Sequence, residues 1–433
     1  MEATRRDPQA GEAAERVARH SYGKLVAYLA ARTRDIAGAE DALSEAFAAA
    51  LDQWETNGIP YSPEGWLLTV ARRRMIDTAR QRETRAGAAE HLKLLVDELR
   101  DAGDGSDIPD QRLRLMFACA HPAIDRQIRS PLILQTILGF DAATIAGCYL
   151  VSPATMGQRL VRAKTKIKQA GIAFRLPDHA EMPERLDAVL EAIYAAFAEG
   201  WSDPSGTDQR RRELAQEALW LGRLVARLLP DEPEVLGLLA LMLHLEARRG
   251  ARRDHQGAYI PLNDQDPSRW HAMLIGEAED ILLGASHMGR IGRYQLEAAM
   301  QSAHAVRRFG QTPDWTVLET LYDALLAITG SPVVAINRAM VIAEARSPED
   351  GLAILCEVEN DQRLAGYQPY WAARAELLAR CGQPAAADQA YACAIRLEPD
   401  PSVRQFLQAR REAIQTASAA SESSSKAARM EGQ

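Results

Sequence analysis

Two runs of basic side chains carry the most distinctive chemistry in this sequence. Between Trp66 and Arg85 six arginines (Arg72, Arg73, Arg74, Arg80, Arg82 and Arg85) stand against Asp77 and Glu83 alone. Guanidinium groups suit bidentate contacts to phosphate or guanine, and they stack on exposed bases. By charge alone the same run reads equally well as a solvated face of a surface helix. The second run gathers Arg159, Arg162, Lys164, Lys166 and Lys168, with no acid between Asp141 and Asp178.

Helices must position both runs. In the first, Trp66, Leu67, Val70 and Ile76 recur at helical spacing and leave the arginines to the other faces. In the second, Gly139–Gly171 predicts a short apolar helix, a turn at Tyr149–Val151 and a longer basic helix. Ser152 suits the N-cap of that basic helix and Pro153 its first position. A helix pair of this kind places its second helix in the DNA major groove, where the N-terminal residues meet base edges. Those residues are Ser152, Ala154, Thr155, Gln158 and Arg159, with Arg162 and Lys166 better placed for phosphates. Many helix pairs share the shape, and the basic second helix favours the DNA reading.

The rest of the chain is consistent with an all-α fold. Ala, Leu, Arg and Glu dominate, and aromatics make up only 6% of the 433 residues. One apolar stripe joins Val17, Leu25, Val26 and Leu29; another joins Ala42, Leu43, Ala46, Phe47 and Ala50. Gly/Pro/Asp clusters at 56–63, 101–109, 177–183, 203–207 and 261–268 break the helical pattern. The net charge of −8 argues weakly against a nucleic-acid partner, but it divides. Residues 1–176 carry 25 basic and 22 acidic side chains, and residues 177–433 carry 26 basic and 37 acidic. The first part is weakly basic and the second strongly acidic. Five irregularly spaced cysteines without a CxxC pair point to a reducing compartment, not to a disulfide framework. There is no signal core and no long apolar run, so a cytoplasmic location without membrane contact is expected.

Taken together, these segments resemble a bacterial sigma-70-type RNA polymerase sigma factor of the extracytoplasmic-function group. Ala39-Glu40-Asp41-Ala42-Leu43-Ser44-Glu45-Ala46-Phe47 is similar to the group's segment that docks on the β′ clamp helices of core polymerase. The resemblance implies core binding by Asp41, Leu43, Glu45 and Phe47. An acidic rim on an amphipathic helix suits a basic coiled coil, although an ordinary core helix would look alike. Trp66–Arg82 resembles the helix that reads the −10 promoter element, and Glu55–Ser62 occupies the place of the loop that captures a flipped base. The implied −10 contacts are Asn57, Gly58, Arg72, Arg73, Arg74 and Arg80. Arg73 replaces the group's usual asparagine, which tilts this helix toward phosphate. Residues 111–172 resemble the −35-binding domain, implying contacts from Ser152, Thr155, Gln158, Arg159, Arg162, Lys164 and Lys166; the turn there lacks the usual glycine.

The chain continues well beyond the end of a minimal sigma factor. Ala372–Ser402 looks like one tetratricopeptide repeat: Ala372, Ala375 and Ala390 permit close packing, Gly382 closes a helix and Pro399 stops the next. The whole resembles the subgroup with a large TPR-like C-terminal extension. Leu262–Trp270 is similar to that subgroup's polar stretch. Its Asp264, Gln265, Asp266, Arg269 and Trp270 form either a ligand or docking segment, or a helix cap at Asp266 or Ser268 with Trp270 as an interhelical anchor. His244, His255, His271, His287 and His304 lack metal-site spacing, and neither metal nor cofactor is expected.

The expected organisation is therefore a region 2 block at 10–85, a flexible linker at 86–107 and a region 4 helix–turn–helix block at 108–175. A TPR-like regulatory array at 180–415 and a disordered tail at 416–433 complete it. The expected function is promoter selection for core RNA polymerase (β′ and β subunits) on promoter DNA, without enzymatic activity. The C-terminal array would control this activity, through a protein or small-molecule regulator. The alternative is a TPR-containing helix–turn–helix regulator that binds its operator without polymerase.

Overall fold

A computed structural model describes residues 8–86, 111–149, 151–178, 180–201 and 209–431. Helices make up the regular structure, and among the described residues the only β pairing is an isolated bridge between Arg253 and Tyr259. The chain divides into two compact units, Met1–Ala196 and Phe197–Gln433.

The first unit contains α1 (Pro8–Thr33), α2 (Ile36–Asn57), α3 (Pro63–Ala86), α4 (Arg112–Cys119), α5 (Arg126–Leu138), α6 (Ala142–Cys148), α7 (Pro153–Gln169) and most of α8 (Met182–Trp201). Helix α1 packs against α2, α3, α4 and α5. Leu25, Val26 and Leu29 of α1, Leu43 and Ala46 of α2, Leu67 and Leu68 of α3, and Leu132 of α5 are all buried. The apolar stripe of α3 differs slightly from expectation. Leu67, Leu68 and Ala71 form the buried edge, while Trp66, Val70 and Ile76 are half-buried.

Gly23 permits the tightest of these approaches. A Cβ there would stand 1.9 Å from the Ile137 carbonyl oxygen of α5, so only glycine lets α1 reach that backbone. Helix α8 is tied to the same unit through Arg129. This buried side chain donates to the Ile124 and Pro122 carbonyls at 3.0 and 3.2 Å and to Glu184 at 3.1 Å. The unit boundary thus falls inside α8, later than the Pro-rich break near 177–183.

The second unit continues with α9 (Gln209–Leu228), α10 (Pro233–Arg248), α11 (Ala272–Ser286), α12 (Arg293–Ala305), α13 (Trp315–Thr329), α14 (Pro332–Ala345), α15 (Pro348–Glu357), α16 (Gln368–Arg380), α17 (Pro384–Leu397) and α18 (Pro401–Glu431). Each of these helices packs on the next. The hairpin of α16 and α17 turns through Gly382 at φ 70° and buries Ala375 and Ala390 at its contact. Proline at N1 opens α10, α14, α15 and α17, where the missing N–H costs nothing.

Two boundary expectations meet the structure differently. The linker expected at 86–107 lies, beyond Ala86, outside the described residues. The tail expected to be disordered from Thr416 instead continues α18 as helix to Glu431. Its alanines supply helix propensity that composition-based disorder arguments discount.

Candidate nucleic-acid interface

Helix α7 is built as the sequence predicts. Ser152 caps it: its hydroxyl accepts the Thr155 N–H at 3.2 Å and lies 2.8 Å from the Thr155 hydroxyl. The preceding helix is capped in the same way, with Asp141 accepting the Thr144 N–H at 2.7 Å, a bond that holds its carboxyl below the usual range. Between them, the Val151 N–H donates to the Ala146 carbonyl at 3.1 Å and closes the turn. Met156, Leu160, Ala163 and Ile167 bury one face of α7. Thr155, Gln158, Arg159, Arg162 and Lys166 stand exposed along another. Arg159, Arg162 and Lys166 line one wall of a groove of about 290 Å³, opposite Asp125, Gln127 and Ile128.

Helices α2 and α3 bring the other candidates together. Asp41 and Glu45 are exposed on α2, and Phe47 is half-buried. Leu43 is fully buried, so its side chain is a core residue and has nothing to offer a partner. Asn57 and Gly58 end α2 in solvent. Gly58 takes φ 82°, a value suited to glycine, and its N–H donates to the Trp54 carbonyl at 3.1 Å. Trp54 meets Trp66 edge-on at 5.6 Å, which anchors both ends of the intervening loop. On α3, Arg73, Arg74 and Arg80 are exposed, with Arg74 3.3 Å from Glu45 and Arg80 3.9 Å from Asp77. Arg72 turns inward instead: it donates to the Tyr28 hydroxyl at 2.7 Å and lies 5.2 Å from that ring, tethering α3 to α1. The side chains of Arg82 and Arg85 lie outside the described residues.

One residue of this loop carries more than its sequence context suggests. Tyr61 has a relative exposure of 107%, a fully presented ring just before α3. The only sequence signal is an aromatic between two Gly/Pro turns, which is easily read as punctuation.

Lys164 does not join the exposed face of α7. Its ammonium pairs with Glu40 of α2 at 2.5 Å, with side-chain exposures of 10% and 15%. Burial lifts the Glu40 carboxyl above its usual range against the opposing pull of Lys164. One turn further along, Lys168 pairs with Asp35, the N-cap of α2. Glu40 and the N-cap Asp35 therefore hold α7 to α2 within the first unit, leaving Asp41 and Glu45 exposed.

Residues 17–85, which hold most of α1 and all of α2 but stop one residue short of the end of α3, match sigma-70 region 2. This match supports a sigma-70-type sigma factor. Such a factor acts in transcription initiation, with core RNA polymerase and promoter DNA as partners. This sigma factor is also 38% identical over 392 residues to an uncharacterised protein of Rhizobium meliloti (strain 1021). That match covers 89% of this chain and 91% of the relative, so the two share one family across both units. Residues 185–286 match DUF6596, a family of unknown function. No solved structure matches the chain. Among the described residues no helix is long and apolar enough to cross a membrane.

The polar segment of the second unit divides between the two readings of its sequence. Asp266 caps a short 3₁₀ turn by accepting the Ser268 N–H at 2.9 Å, and Arg269 donates to the Arg253 carbonyl at 3.0 Å and to the Gly250 carbonyl. Trp270 is buried with Ala247, Ile275 and Ala305 as the interhelical anchor. Asp264 is exposed, whereas Gln265 is buried with its amide nitrogen 3.3 Å from the Ile260 carbonyl.

Proposed function

We propose that this sigma factor is a promoter-specificity subunit of the extracytoplasmic-function type, without catalysis of its own. Asp41 and Glu45, with the edge of Phe47, would dock on the basic clamp helices of β′. Asn57, Gly58 and Tyr61 would receive an extruded −10 base, with Tyr61 offering a stacking face worth about 1–3 kcal/mol per base. Arg73, Arg74 and Arg80 would follow the backbone beside it. Helix α7 would lie as the second member of a helix–turn–helix in the −35 major groove, with β holding this block in place. The second unit, a TPR-like helical array, would control the activity.

The observation that carries the reading is the face of α7. A capped helix, seated in its unit by four buried residues, presents Thr155, Gln158, Arg159, Arg162 and Lys166 together in solvent. Base contact and phosphate contact differ in what they do to specificity. Arg159→Ala is expected to cost about 1–3 kcal/mol on the cognate −35 sequence and to relax discrimination at one base pair. Binding by the holoenzyme to a panel of −35 variants measures this. An equal loss on every sequence would make Arg159 a phosphate contact and remove the base-reading claim.

A further inference from the structure

The acidic half of the chain contains a cluster of cations that its own acids do not neutralise. Residues 177–433 hold 37 acidic side chains against 26 basic, yet Arg248, Arg249, Arg252 and Arg253 follow one another at the end of α10. Arg249 pairs with Glu246 at 2.8 Å and Arg253 with Asp400 at 2.6 Å. Arg248, Arg252 and Arg307 make no ion pair among the described residues; their contacts are neutral. Arg248 donates to the Gln301 amide oxygen at 2.5 Å and sits 5.9 Å from the Trp270 ring. Arg252 stacks 3.7 Å over Trp201 and donates to its carbonyl, and Arg307 donates to the Asn263 amide oxygen at 2.8 Å.

These groups act on one another. Burial pushes Arg248 down to about 10, and its neighbours Arg252 and Arg307 add to the effect. Burial likewise pushes His304 down to about 4, with Arg307 and Arg248 contributing. Arg248, Arg307 and His304 thus share a region without an ion pair, while Arg252 beside them also feels the Asp400 carboxylate.

The same place holds buried polar atoms without a protein partner. They are the indole N–H of Trp270, Nδ1 of His304, Nε of Arg307 and Oε1 of Gln265. Trp270 is only 4% exposed and Gln265 8%. The loop carrying them is fixed against the arginines: the Ile260 N–H donates to the Arg252 carbonyl at 2.8 Å, and the His271 N–H to the Ala247 carbonyl at 2.9 Å. Trp270 packs beside Ala305, adjacent in sequence to His304 and two residues before Arg307. Water would satisfy the hydrogen bonds but would leave the charge uncompensated. An anion with several acceptor oxygens meets both the charge and the N–H groups of Trp270 and Arg307; Gln265 Oε1, itself an acceptor, is not served by it.

We infer that the second unit binds a small phosphate-type oxyanion between the end of α10, the loop at 262–270 and the 3₁₀ turn after α12. Arg248 and Arg307 supply charge, and the Trp270 indole and Arg307 Nε supply directed N–H groups. The occupant is small because Arg248 is only 7% exposed, beyond the reach of an acidic side chain on a protein surface. Donors from three separate segments suit an oxyanion with several acceptor oxygens. The site lies within the chain's own second unit and does not depend on the promoter reading.

Isothermal titration of the full chain tests this, with inorganic phosphate, glycerol phosphate and malonate as separate titrants at constant ionic strength. Saturable one-to-one binding of inorganic phosphate is expected. Saturation by glycerol phosphate alone would also support the site and identify its occupant as a phosphate monoester. Arg307→Gln, at a half-buried position, is expected to weaken binding at least tenfold while leaving the far-ultraviolet circular dichroism unchanged. Trp270→Phe keeps an aromatic side chain, removes the indole N–H and should weaken binding as well. Absence of saturable binding, equal affinity for malonate, or unchanged affinity in Arg307→Gln would each overturn the proposal.

Discussion

Lys164 and Lys166 stand two residues apart on the same helix, carry the same charge and do different work. Lys166 is exposed beside Arg162 on the groove wall, while Lys164 is folded against Glu40. Breaking a buried ion pair leaves the remaining charge uncompensated, at a cost of about 3–5 kcal/mol; partial exposure places this pair near the lower figure. Lys164→Ala is thus expected to lower unfolding stability by about 3 kcal/mol in a urea titration. Lys166→Ala should change stability by less than about 0.5 kcal/mol but reduce the salt slope of promoter binding by about one. If the two variants exchanged these phenotypes, the assignment of faces on α7 would be wrong. The sequence displays both lysines identically, because the acid that claims Lys164 lies 124 residues earlier in the chain. Leu43 and Arg72 teach the same lesson: the family resemblance marked them for contact, and packing turns both inward. Tyr61 is the reverse case, an aromatic whose full exposure only the fold reveals.

At the scale of elements, the best-read features are those fixed locally. Ser152 and Pro153 announce where α7 begins, and in the structure Asp141 caps α6 in the same way. Their caps are formed by side chains one to three residues away, so the signal is complete in a short window. What no short window contains is the approach of α1 to α5. Glycine inside a helix ordinarily costs about 0.5–1 kcal/mol relative to alanine, so Gly23 reads as a weakness in α1. Its Cβ would strike the Ile137 carbonyl, which reverses the sign. Gly23→Ala is expected to destabilise the first unit by about 1–3 kcal/mol, as overpacking of a rigid contact does. Chemical denaturation followed by circular dichroism measures it, and a stabilised variant would refute the close approach. In the tail, where composition argues for disorder, the backbone runs on as α18 to Glu431.

For the whole molecule, the division of charge was legible from the start, but its meaning changes with the structure. The acids that hold Lys164 and Lys168 of α7 are Glu40 and Asp35, which belong to the weakly basic part of the chain. Masking of these lysines is therefore local to the first unit. In the acidic part, the notable residues are its arginines and the histidine among them. Burial, with Arg307 and Arg248 adding to it, pushes His304 down to about 4 in the folded chain, below the unfolded value near 6.5. The unfolded chain then binds more protons between these values, so stability is full above about pH 6.5 and falls as the pH drops toward 4. The loss is on the order of 3 kcal/mol for this one group, and His304→Gln should flatten that slope in a stability–pH profile. An unchanged slope would mean that His304 is as accessible to protons folded as unfolded.

The central claim is that this chain selects promoters as part of a polymerase and does not bind DNA as an independent regulator. Run-off transcription with purified core RNA polymerase, the full chain and genomic promoter fragments addresses it directly. Discrete transcripts are expected only when core enzyme and chain are present together, with weak and strongly salt-sensitive DNA binding by the chain alone. Tight, sequence-specific binding by the isolated chain to paired half-sites about one helical turn apart, with no transcript from the mixture, would contradict the account.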